Sequence, residues 1–204
     1  MSNILLYYRT DFKGALLLTL NTIRRSLLVA YYSLYCKLKC KLIGVSISSN
    51  VKFGGNIVIE RFPQSTIRIG KNCRFNSKNI FNSRGIGKCI LQTGTKRASI
   101  IIGDNCGFSG VSIVSDENVI VGDNVMIGAN TKIGDRDDHK EILFTTPSPI
   151  EIGNNAFIGM GCIILKGVHI GENSIIAAGS IVTKDIPSDV IAGGVPCKVI
   201  KNRY

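Results

Sequence analysis

The 204-residue chain predicts an all-β solenoid with a short α-helical segment in front of it. Three observations predict this: apolar residues recur every six positions, Gly and Asn mark the turns between repeats, and the first 45 residues follow a different rhythm.

The period of six is strongest near the C-terminus. Ile152, Ile158, Ile164, Ile170, Ile176 and Val182 follow without a slip, and four residues after each come Ala156, Cys162, Val168, Ser174, Ser180 and Ile186. An earlier run reads Ile102, Phe108, Val114, slips by one to Val121, and continues through Ile127 and Ile133. A weaker run starts at Ile69 and passes Phe75 and Phe81, with Val51 and Ile57 before it. Neither an amphipathic helix nor a period-2 strand produces this spacing. A triangular coil of three six-residue units does, each unit a short strand and a turn, with the aliphatic residue inside and a compact one near the corner. Gly153-Asn154, Gly171-Glu172-Asn173 and Gly122-Asp123-Asn124 mark turns that call for positive φ. The repeat region spans residues 46–190, with a tail over 191–204.

Residues 1–45 lack this rhythm. Leu16, Leu17, Leu20, Ile23, Leu27, Leu28, Tyr31, Leu34, Tyr35 and Leu38 lie at spacings of three and four and predict a broad apolar helical face. Five of the six tyrosines fall at or before Tyr35, interleaved with Arg and Lys. The uncharged runs Gly14 to Ile23 and Ser26 to Cys36 fall short of the ~20 apolar residues that span a bilayer, and no cleavable leader is expected. Such a segment suits peripheral contact with a membrane surface, or packing on the coil or a neighbouring subunit.

A net charge of +11 invites a nucleic-acid reading, since a basic surface binds phosphate whatever its fold. Its distribution argues otherwise. From Asp104 onward eight bases face twelve acids, so the whole excess, +15, lies in residues 1–103. That placement suits an anionic membrane surface or an anionic, lipid-linked glycan, and no nucleic-acid partner is expected. With 45% hydrophobic residues the chain is too apolar to be disordered. Seven cysteines without a CxxC pair or a zinc-type Cys and His spacing predict a reduced, cytoplasmic protein. Cys73, Cys106 and Cys162 fall at the compact position of the repeat and read as core thiols.

The stretches Ile150-Glu-Ile-Gly-Asn-Asn-Ala-Phe-Ile-Gly159, Gly179-Ser-Ile-Val-Thr-Lys-Asp-Ile-Pro187 and Ala192-Gly-Gly-Val-Pro-Cys-Lys-Val-Ile200 resemble the hexapeptide-repeat acyltransferases, the family of galactoside, maltose and capsular-polysaccharide O-acetyltransferases. The resemblance implies a left-handed parallel β-helix, a homotrimer, acetyl-CoA as cosubstrate and a sugar hydroxyl as acceptor, in surface or capsular polysaccharide biosynthesis. The first 45 residues differ from the segment that the maltose and galactoside enzymes place before their coils, so a different acceptor is expected.

Between Ile133 and Ile152 the rhythm breaks, and the excursion over residues 134–149 holds His139, preceded by Asp135, Asp137 and Asp138. An imidazole with a pKa near ~6.5 takes a proton from a hydroxyl near neutral pH, and a neighbouring carboxylate fixes its tautomer. The Asp-x-Asp-x-His pattern resembles the family's active-site loop, in which the His is the general base. That implies His139 as base, with Asp137 and Asp135 beside it. His169, at the outward end of a repeat, reads as surface. Two histidines fall short of the three that zinc carbonic anhydrases of this architecture use, so no metal is expected.

By the same resemblance the Met160 amide is an oxyanion donor, and Phe157 stands where relatives carry a Trp. Gly159, Ala178 and Gly179 approach the pantetheine arm, Thr183 and Lys184 the nucleotide, and Lys198 and Lys201 the CoA phosphates. Gly85-Ile-Gly87-Lys88 lacks the length and the Ser/Thr of a P-loop. Ser109 and Asp116 are expected to face one acceptor groove. Two alternatives stay open: N-acetylation of an amino sugar, and a non-catalytic hexapeptide scaffold.

Overall fold

A computed structural model describes residues 11–81, 85–136 and 146–204. Helix α1 (Phe12–Leu42) starts at Asp11, whose carboxylate accepts the Gly14 N–H at 2.9 Å. It stops where Gly44 takes φ +73° and the Val45 N–H donates back to the Cys40 carbonyl at 2.9 Å. Ser33 fixes the helix to the coil, its Oγ accepting the Phe53 N–H at 3.0 Å, and Cys36 and Cys40 are buried beneath it.

The strands stack into three faces. The first holds β1 (Ser46–Ile47), β4 (Thr66–Ile69), β7 (Ser99–Ile102), β10 (Asn118–Val121), β13 (Ile150–Ile152) and β16 (His169–Ile170). The second holds β2 (Lys52–Gly54), β5 (Arg74–Asn76), β8 (Gly107–Ser109), β11 (Met126–Ile127), β14 (Phe157–Ile158), β17 (Ile175–Ile176), β19 (Val190–Gly193) and β20 (Lys198–Asn202). The third holds β3 (Val58–Glu60), β6 (Ile90–Thr93), β9 (Ser112–Ser115), β12 (Lys132–Gly134), β15 (Ile163–Ile164) and β18 (Ile181–Val182). From β1 to β15 each strand pairs in parallel with the strand three later, so three strands make one coil; at the end β17 pairs in parallel with β19, and β20 turns back antiparallel on β19. The boundary expected at residue 190 therefore falls inside β19, and the tail is a hairpin that continues the second face.

Short strands such as β14 send one residue into the interior, and longer ones such as β4, β7 and β10 send two. On the second face Phe53, Phe75 and Phe108 stack with ring centroids 5.4 and 4.8 Å apart, and Ile127, Ile158 and Ile176 continue the column. The run from Ile152 to Val182 is buried throughout, as its spacing predicts. Four residues depart from the expected register. Ile113, not Val114, points inward, because it pairs with Ile133 and Leu91. Phe81 lies half-buried in a 3-10 turn within an inserted segment, and Leu91 takes the inward place. Val51 and Ile57 occupy corner positions, with Phe53 and Ile59 filling the strands.

The corner between the first and second faces is a column of asparagines. Asn50, Asn72, Asn105, Asn124, Asn155 and Asn173 have φ between 57° and 60°, a conformation that most side chains avoid. Their amides also bond from coil to coil, Asn50 to Asn72 and Asn72 to Asn105 at 2.9 Å each. The adjacent Gly122, Gly153 and Gly171 serve close approach rather than positive φ: a Cβ on Gly153 would lie 2.5 Å from the Glu172 nitrogen of the next coil.

All seven cysteines are free and buried. Burial pushes the Cys36, Cys89, Cys162 and Cys197 thiols up, and Cys40 to about 12, so these are packing groups rather than nucleophiles. Away from the coil, α1 carries an exposed apolar stripe of Leu16, Leu20, Ile23, Leu27, Leu34 and Leu38. Among the described residues no helix is long and apolar enough to cross a membrane.

Candidate active site

The excursion between β12 and β13 leaves the corner that joins the third face to the first. Its two feet are tied together, since the Ser148 N–H donates to the Asp135 carbonyl at 2.9 Å. The Asp135 side chain is fully buried. Its Oδ1 accepts the Asp116 N–H at 2.7 Å, and Oδ2 accepts the Ser115 hydroxyl (2.7 Å) and the N–H groups of Glu117 (2.9 Å) and Asn118 (2.8 Å). Asp135 was expected beside the histidine; both its oxygens are instead engaged by the preceding turn, so it anchors the loop. Arg136, the next residue, ion-pairs with Asp116 at 3.0 Å. His139 and Asp137, with Asp138, lie outside the described residues.

A groove of about 400 Å³ runs along the outside of the second face. Arg74, Asn76, Ser109, Met126, Gly128 and Phe157 line it. Asn76 donates to the Ser109 hydroxyl at 3.4 Å, while Met126 and Phe157 are half-exposed apolar walls. A concave site with apolar walls and a few polar groups is the usual form of a small-ligand site. Asp116 does not line the groove, contrary to expectation: it lies in the turn between β9 and β10, on a different corner from Ser109.

Gly159 and Met160 stack against Gly128, which lines the groove. A Cβ on Gly128 would lie 2.5 Å from the Met160 nitrogen, and one on Gly159 would lie 2.4 Å from the Ala178 nitrogen, so glycine is required for the coils to stack here. The next corner residues, Gly161 (φ +67°) and Gly179 (φ +73°), differ in that no atom beyond the glycine and its chain neighbours lies within 4 Å of where a Cβ would sit. The corner between the second and third faces is thus bare beside Ala178. The Gly179 N–H donates to the Met160 carbonyl at 2.8 Å and holds this edge rigid. Thr183 and Lys184 are exposed just past β18, and Lys198 and Lys201 are exposed on β20. These candidate cofactor residues gather around the last coils.

His169 is exposed, with Nδ1 3.4 Å from a Glu151 carboxylate oxygen on the same face. Among the described residues no three His, Cys, Asp or Glu side chains converge to hold a metal. Arg74, Asn76 and Met126 were missed in the sequence. They flank the inward Phe75 and Ile127, so two-residue alternation around each inward position would have found them.

The family pattern described as Bacterial transferase hexapeptide (six repeats) matches residues 149–184, and that of the hexapeptide repeat of succinyl-transferase matches residues 118–134. Galactoside O-acetyltransferase of Escherichia coli (strain K12) is 51% identical over 53 residues, 26% of each chain. Protein CapG of Staphylococcus aureus is 68% identical over 53 residues, 26% of this chain and 31% of CapG. These matches cover about a quarter to a third of the relatives' length. A solved galactoside acetyltransferase in complex with coenzyme A superposes with a TM-score of 0.50 at 31% identity, covering 78% of this chain and 65% of that one. AntD, an N-acyltransferase from Bacillus cereus solved with dTDP and 3-hydroxybutyryl-CoA, gives 0.64 at 23% identity, covering 82% of this chain and 88% of that one, a likeness of fold.

Proposed function

We propose that the chain is a member of the hexapeptide-repeat acyltransferase family that it matches in part, with the left-handed β-helix of that family, and that it is an acetyl-CoA-dependent O-acetyltransferase. In this reading it modifies a sugar hydroxyl in surface or capsular polysaccharide biosynthesis. The observation that carries the reading is the bare corner at Gly161 and Gly179 beside the groove that ends at Phe157. A thin acyl chain can run along the first while a sugar occupies the second, and the two meet at Met160.

His139 takes the proton of the acceptor hydroxyl as its oxygen attacks the thioester carbonyl. The tetrahedral oxyanion is met by a backbone N–H, for which Met160 is the candidate. The carbon–sulfur bond then breaks, the acetyl ester stays on the sugar, and the imidazolium returns its proton to the CoA thiolate. Asp137 orients the base, and Asp135 acts through the loop it anchors. Lys198 and Lys201, with Thr183 and Lys184, meet the CoA phosphates and nucleotide.

A homotrimer belongs to the same reading, on the strength of the family resemblance alone. The exposed stripe of α1 and the basic N-terminal half support peripheral contact with the inner face of a membrane.

N-acetylation is the second reading, since an amine would use the same base. Acceptor-dependent CoA release, compared between matched hydroxyl and amino sugars, separates the two. Turnover with hydroxyl acceptors is expected, and turnover with amino sugars alone would replace this reading with the second.

A further inference from the structure

A second cleft, of about 560 Å³, lies between α1 and the first coils and adjoins the groove through Arg74, which lines both. Arg25 and Lys37 reach it from the helix, Lys52 from β2 and Arg74 from β5. Asn50 and Ser33 add polar groups, and Phe81 forms an apolar wall. No carboxylate lines it among the described residues, and none pairs with these four cations; Arg74 bonds the Asn76 amide oxygen at 3.1 Å.

Four positive charges held together without counter-charge repel one another, and a multiply charged anion between them relieves that repulsion. The cations come from three separate elements, and the Ser33 to Phe53 hydrogen bond at 3.0 Å sets the helix against the coil. Their convergence is therefore built by the fold rather than by one flexible segment. Guanidinium forks from Arg25 and Arg74 match phosphate oxygens in pairs, and the two lysines add point charges. We propose that this cleft binds the diphosphate of an activated sugar acceptor, which places the attached sugar in the adjoining groove over Asn76 and Ser109. This rests on the acyltransferase reading for the sugar, but the anion site stands by itself. It also gives the basic excess of residues 1–103 a definite task.

The test is a calorimetric titration of the full-length protein, first saturated with CoA so that the cofactor's own diphosphate is already housed. Inorganic pyrophosphate is the probe. Saturable binding is expected, weakened about tenfold or more by Arg25→Glu or Lys52→Glu and unchanged by Lys96→Glu, an exposed lysine elsewhere on the coil. The milder Arg25→Gln and Lys52→Gln serve if charge reversal impairs folding. No pyrophosphate binding, or equal loss in the Lys96 variant, would overturn the proposal. Two further arms separate the sources of a diphosphate: uridine diphosphate, and neutral phospholipid vesicles with or without a polyprenyl diphosphate. Failure to bind CoA at the outset would count against the transferase reading, and pyrophosphate added alone would still test the cleft.

Discussion

Replacing His139 by Ala is expected to lower acceptor-dependent CoA release by ~10²–10⁴-fold, the range that a positioned general base contributes. An acceptor hydroxyl is a poor nucleophile until its proton is drawn off, and neither CoA nor the described walls of the groove supply a base for it. The candidate cofactor residues lie on the last coils, remote in sequence from residue 139, so affinity for CoA should stay unchanged. Turnover is the quantity that must fall. Undiminished release by the variant would remove His139 from the mechanism.

Asp135→Ala should instead cost stability. The substitution leaves three backbone N–H groups and the Ser115 hydroxyl without their acceptor in a fully buried site. Each orphaned donor costs about 1–3 kcal/mol, and relaxation of the turn recovers part of the sum, so a loss of about 3–5 kcal/mol is expected in denaturant melts. Asp135→Asn keeps one accepting oxygen but aims an NH2 group at donors, and should fall between. The same change releases the loop foot from the Asp116–Asn118 turn, so residual activity should drop while CoA affinity holds. A melt unchanged in Asp135→Ala would show that the four bonds contribute nothing net.

The period of six made the solenoid legible because each coil must place an aliphatic side chain inside, and Ile152 to Val182 obey that without interruption. Where a corner changes length, the period stops reporting register. The step from Phe108 to Ile113, one residue shorter than that from Ile127 to Ile133 on the next coil, did so for Val114, and the insertion after Phe75 did so for Phe81. Glycines at Gly153 and Gly171 looked like positive-φ positions, yet their task is close stacking between coils, a long-range fact that no local pattern carries. In the site, Ser109 and Asp116 were expected in one groove; Ser109, beside the inward Phe108, lines it, whereas Asp116 was misplaced because nearness in sequence does not fix which corner a residue occupies. Asp135 shows a different limit. A carboxylate two residues from another and four from a histidine reads as catalytic, and only the turn folded over it reveals that its oxygens are taken. The basic cleft needs Arg25, Lys37, Lys52 and Arg74 from three elements, so the sequence showed its charge but not its convergence.

The most direct test of the account is a calorimetric titration of the wild-type protein with CoA. Saturable binding is predicted, weakened by Lys198→Glu with Lys201→Glu, since both lysines are exposed on β20 and assigned to the CoA phosphates. Absence of any binding by the folded wild-type protein would contradict the transferase reading and leave a hexapeptide-repeat scaffold in its place.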